Sequence, residues 1–117
     1  MLSLMEVSRE LSIPRGVLRA CVRDGLLPPA PFTRADLPVV TVAAAVLNFP
    51  GVTDAVSDRN VLAVRLARGV LADPTRPEDT WIVVDPSQAW VADGASRLVE
   101  LASLHASPLL VVPLRLP

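Results

Sequence analysis

The 117-residue chain has no lysine and no tyrosine, one cysteine, one histidine, and only two Trp and two Phe. A lone cysteine, Cys21, excludes an internal disulfide and any cysteine-cluster metal site. It falls on the inward side of a helical stretch, where a buried structural thiol is expected. With so few rings, the core must be built from Val, Leu, Ile and Ala. Apolar residues make up 51% of the chain, enough for a modest core. The longest apolar stretch, 39–47, is too short to span a bilayer. The N-terminal region carries Glu6 and no long apolar run, so no signal peptide is read. A cytoplasmic chain with no membrane partner is the expectation. A glycine-rich phosphate loop, zinc-ligand spacing and a nucleophile elbow are all missing. No catalytic residue, metal site or cofactor is therefore assigned. His105 falls at an expected helix end, where it favours the C-terminal dipole. Asp85 and Asp93 flank a short strand and are read as turn and cap residues.

All the basic residues are arginine: 11 against 12 acids, for a net charge of −1. Together with 12 Pro and abundant Ala, that bias is a signature of GC-rich coding. Such a balance gives no global attraction to nucleic acid, so any binding must come from a local basic face. Residues 1–34 carry a surplus of two positive charges and residues 35–117 a deficit of three.

Ser3 and Glu6 form a capping-box pattern that predicts a helix over about Leu4–Leu11. Leu4, Val7 and Leu11 share one of its faces. Ser12-Ile13-Pro14 reads as a short turn, with Pro14 in the first turn of a second helix running to about Asp24. Val17, Leu18, Cys21 and Val22 face inward on it, and Gly25 suits the position just past its end. The proline-rich 27–31 segment excludes helix and central strand. Thr33 and Asp36 resemble a second capping box opening a helix over about Arg34–Leu47, which Phe49-Pro50-Gly51 ends. Asp58 is read as the cap of a fourth helix, about Arg59–Ala72, and 73–79 as a polar turn. TWIVV (80–84) and AWVA (89–92) flank DPSQ, a hairpin pattern with a four-residue loop. Asp93 or Ser96 caps a further helix to about His105, and PLLVVPL (108–114) is a final buried strand. The predicted class is α+β. A three-helix unit over 1–50 precedes an αββαβ unit over 51–117, with a three-stranded antiparallel sheet and helices on one face.

Two short helices joined by a three-residue turn make a helix-turn-helix. On the second, Arg15, Arg19 and Arg23 recur at i, i+4 and i+8, a stripe about 80° wide. Arginine pairs bidentately with guanine edges or clamps phosphates, so this face suits a major groove. Gly16 allows close approach to the duplex, and Ser12 with the free N–H groups of the helix start can hold a phosphate. Arg34 completes the candidate DNA-binding set.

Residues 2–29 resemble the N-terminal winged helix-turn-helix domain of the MerR superfamily, including its excisionase-like and antitoxin-like short forms. Ile13-Pro14-Arg15-Gly16-Val17-Leu18-Arg19 and Asp24-Gly25-Leu26-Leu27-Pro28-Pro29 fill the family's recognition-helix and wing-entry runs. Phe32-Thr33-Arg34-Ala35-Asp36-Leu37 is similar to its wing exit. The resemblance covers under half the chain and implies DNA binding. Ala20 and Cys21 stand where the family has aromatics, and the wing is cut to a few residues.

The leading expectation is a sequence-specific regulator that binds double-stranded DNA as a homodimer and associates with the nucleoid. One short helix-turn-helix binds weakly, whereas two half-sites add their contacts. Trp81 and Trp90, which can pair across the hairpin, and Leu110 and Val112 of the last strand are the candidate dimer interface. The alternative is a protein-interaction module with an architectural helix-turn-helix, bound to a toxin, phage protein or polymerase.

Overall fold

The computed structural model describes residues 1–49, 57–75, 79–105 and 108–114. Its first helix, α1 (Leu4–Leu11), opens on a complete capping box. The Ser3 hydroxyl accepts the Glu6 N–H and the Glu6 carboxylate accepts the Ser3 N–H. Ser12 ends α1 in the left-handed conformation, φ 53°. The second helix, α2 (Arg15–Arg23), starts after Pro14, which is its cap rather than its first helical residue. Its other end is a full Schellman motif. Gly25, at φ +85°, donates to Val22 O, and Leu26 N–H donates to Cys21 O. Those bonds satisfy carbonyls that the helix itself leaves open.

Leu2 and Phe32 exchange two backbone hydrogen bonds in an isolated antiparallel bridge, tying the N-terminus to the proline-rich segment. The expected helix over 34–47 is divided. Thr33 and Asp36 do cap it reciprocally, but they open a 3-10 turn over Arg34–Asp36. The α-helix proper, α3 (Leu37–Leu47), begins beside Pro38, whose missing N–H is tolerated only in a first turn. Helix α4 (Asp58–Ala72) is capped by the Ser57 hydroxyl rather than by Asp58, which lies in its first turn. The turn residues Pro50 and Gly51, and part of the 73–79 turn, lie outside the described residues.

Strands β1 (Trp81–Val84), β2 (Ala89–Ala92) and β3 (Leu110–Pro113) form an antiparallel sheet in the order β2-β1-β3. Strand β3 is shorter than expected and closes on Pro113, which an edge strand accommodates. The hairpin turn is built by Asp85, whose carboxylate accepts the N–H groups of Ser87 and Gln88. Helix α5 (Ala95–Leu104) has Gly94 as its cap, not Asp93 or Ser96.

The helices do not all lie on one face of the sheet, as expected, but cover both. Ile82, Val84, Ala89 and Val112 pack with α3 and α4 in the main core, which also takes in Val7, Leu18 and Cys21. Val83 and Ala92 pack on the other face against Leu101 and Leu98 of α5. The physical reason is period two. Successive strand residues point to opposite faces, and in β1 both sets are apolar, so each face needs a cover. Arg59, 3% exposed, joins the layers. Its guanidinium donates to the Val46 and Phe49 carbonyls at the end of α3 and reaches Pro86 O of the hairpin turn.

Candidate nucleic-acid interface

The interface starts from the packing of α2. Leu18 and Cys21 are buried, Val17 and Val22 half-buried, and Arg15, Gly16, Arg19 and Arg23 are exposed. The 3.6-residue period thus separates an apolar side from an arginine side. Burial pushes the Cys21 thiol up to about 11, so it stays protonated near neutral pH and serves as a core side chain. At Gly16 an added Cβ would meet nothing within 4 Å. The site is open, as close approach of a ligand to the helix start requires.

The predicted arginines separate into two groups. Arg23 makes a two-pronged ion pair with Asp24, at 3.1 and 3.2 Å. Arg34 pairs with Glu10 of α1. By contrast, Arg15 and Arg19 have no carboxylate within ion-pair distance among the described residues. Two other acids of the N-terminal unit have partners of their own. Hydrogen bonding to Ser3 holds the Glu6 carboxyl below its ordinary pKa, with a small contribution from Arg9. Asp36 accepts the Thr33 N–H. Ser12, the proposed phosphate ligand, is the C-cap of α1 and stands two residues before the cap of α2.

Arg9 was absent from the sequence-derived set. The fold brings it to a surface depression of about 270 Å³ lined by Met5, Ser8, Arg9 and Arg15. The available signal was its place on α1 away from Leu4, Val7 and Leu11, next to a turn too short to carry the two helices apart. On the other side of that turn, a groove of about 250 Å³ runs between Ile13, Pro14 and Val17 and the Thr41–Asn48 side of α3.

The sheet residues proposed for a dimer interface are dispersed. Trp81 and Trp90 do not face one another directly. Trp81 is opposite Ala92 and Trp90 opposite Val83, so the two rings are diagonal on the α5 face. Leu110 is half-buried, and Val112 is 4% exposed, packed in the main core. The exposed residues of β3 are Val111, at 39%, and Pro113. Val99 and Leu104 of α5 are 67% and 70% exposed.

The remaining titratable contact of note joins Asp85 and His105. His105 Nε2 lies 3.6 Å from Asp85 Oδ2, and Nδ1 lies 2.7 Å from Leu101 O. The Trp90 ring meets the imidazole edge-on, with centroids 4.6 Å apart. Burial raises the Asp85 pKa, but the Ser87 and Gln88 N–H groups, the Ser87 hydroxyl and His105 outweigh it, leaving the carboxyl below its ordinary value. With both ring nitrogens directed at these partners, the pair fastens the end of α5 to the hairpin. Among the described residues no group of three or more His, Cys, Asp or Glu could hold a metal ion, and no helix is long and apolar enough to cross a membrane. Comparison with known protein families, curated proteins and solved structures finds no match to the chain.

Proposed function

We propose that the chain is a sequence-specific DNA-binding regulator of transcription, acting as a homodimer. The pair α1–α2 is its helix-turn-helix, and α2 lies in the major groove, as in the MerR-like module that its N-terminal residues resemble. The observation that supports this reading is the outer face of α2. There Arg15 and Arg19 stand exposed, one turn apart, with no carboxylate partner among the described residues. Guanidinium groups on such a face can reach guanine O6 and N7 bidentately. Arg23 and Arg34, already engaged by Asp24 and Glu10, give less to the duplex. A module with so few contacts needs a second copy to hold its site, and two-fold symmetry makes that site palindromic. Such a protein works in the cytoplasm, on the nucleoid.

Selection of bound sequences from a random duplex pool tests the reading. An enriched palindromic motif is expected, with guanine preference at one position per half-site lost in Arg19→Ala. A bound pool no different from the input removes it. A second reading, a protein-interaction module with an architectural α1–α2 pair, draws support from the exposed Val99, Leu104 and Val111. It predicts a chain that retains no duplex of any sequence.

A further inference from the structure

Refining the roles on that face, we propose that Arg19 alone reads bases, while Arg15 joins Arg9 of α1 in a two-guanidinium clamp for one phosphodiester group of the DNA backbone, seated in the depression between α1 and the start of α2. The proposal rests on the DNA-binding reading and adds a residue and a contact type to it.

Four observations carry it. The depression is lined by Met5, Ser8, Arg9 and Arg15, so two cations share its wall and no acid does. Its volume, about 270 Å³, admits a phosphate group with its ester oxygens. Neither arginine has a carboxylate at ion-pair distance among the described residues. The Arg9 guanidinium instead meets Met5 Sδ at 3.7 Å, a weak acceptor that a phosphate oxygen readily replaces.

The fourth observation is how the two arginines are held. Ser8 and Ile13 are doubly bonded across the turn: Ile13 N–H donates to Ser8 O at 3.0 Å, and the Ser8 hydroxyl donates to Ile13 O at 2.6 Å. That clasp, with Ser12 in the left-handed conformation, sets the angle between α1 and α2 and so the separation of Arg9 from Arg15. The Ser8 hydroxyl is spent in this bond. It is a positioning group, and the clamp itself is the two guanidinium groups. Backbone clamps of this kind fix register on the duplex while base contacts read sequence. Arg9 and Arg19 should therefore differ in kind, not only in degree.

The test measures binding of the full chain to its selected duplex and to a random duplex over a range of salt, for the parent, Arg9→Ala and Arg19→Ala. Arg9 is exposed, so its truncation leaves the fold intact. Arg9→Ala should lower affinity for both duplexes by the same factor, about 3- to 10-fold, and reduce the slope of log K against log salt by about 1, the change expected for one lost phosphate contact. Arg19→Ala should instead lower the ratio of specific to random binding. Parental affinity and slope in Arg9→Ala, with Arg19→Ala impaired, overturns the clamp and leaves the groove reading standing. A parent that binds neither duplex overturns both. The Arg9 Nε–Hε resonance distinguishes the source of the phosphate. It should shift to saturation with stoichiometric duplex and not with inorganic phosphate at equal ionic strength. Saturation by inorganic phosphate, with no further change on adding duplex, overturns the assignment to backbone.

Discussion

Arginine occurs in two settings in this molecule. At the junction of α3, α4 and the hairpin, Arg59 is 3% exposed and donates to the carbonyls of Val46 and Phe49. Burial lowers its pKa and the nearby Asp85 raises it, yet a guanidinium stays charged at any ordinary pH. On the outer face of α2, Arg15 and Arg19 stand in solvent with no carboxylate partner among the described residues. The contrast shows that charge count is a poor guide to binding. What matters is whether the fold has already used a guanidinium's donors. Arg59 is spent inside and Arg23, Arg34 and Arg97 on acids, whereas Arg9, Arg15 and Arg19, like Arg65 and Arg68 of α4, are exposed with no carboxylate partner among the described residues; only the first three lie on the α1–α2 unit.

The sharpest way to break that contrast is Arg59→Ala. It removes two guanidinium hydrogen bonds at the end of α3, to Phe49 O and to Val46 O, which keeps the Phe49 N–H as a donor, so unfolding free energy measured in urea should fall by about 3 kcal/mol. Folded protein should bind DNA with its parental affinity. Next, Arg15→Ala and Arg19→Ala should each weaken binding to the selected duplex by about 1–3 kcal/mol, with the thermal midpoint unmoved. If either loses stability instead of affinity, its side chain belongs to the scaffold. Asp85→Asn comes third, at about 1–2 kcal/mol of stability. The Asp85 pKa is lowered in the fold. Its contribution is therefore present above the unfolded carboxylate pKa and lost as pH falls through the folded one. The substituted amide cannot titrate, so the acid limb of stability against pH should flatten in this variant. Arg23→Ala should do least. Its pair with Asp24 is exposed, and such pairs contribute little. Salt-dependent binding close to the parent's is expected, and a large loss would mean that Arg23 leaves Asp24 for the duplex.

Local signals were legible in the sequence and tertiary ones were not. Ser3 with Glu6, and Gly25 after α2, state their roles within a few residues, and the structure places both where the pattern puts them. The start of α3 was misjudged because a Thr33–Asp36 capping box serves a 3-10 turn as well as an α-helix. The two-sided cover of the sheet was missed although TWIVV carries the information. Trp81 and Val83 on one face and Ile82 and Val84 on the other are all apolar, the mark of a strand buried on both sides. For the candidate site, i, i+4 spacing disclosed Arg15 and Arg19. Adjacent Asp24 was a visible competitor for Arg23. Glu10 and Arg34 are 24 residues apart, and their meeting depends on how α1 docks near the 3-10 turn, which no local pattern encodes.

If the chain binds DNA as proposed, helix α3 bears on the spacing of the half-sites. Eight of its eleven residues are buried, and it contacts α1 and α2 on one side and β3 and α4 on the other. A wall packed on both sides yields little, so it fixes the distance from the arginine face to the sheet. Two such subunits would then hold their recognition helices at a set separation. Insertion of one base pair between half-sites displaces them by about 3.4 Å and turns them by about 35°, a mismatch that this helix has no slack to absorb.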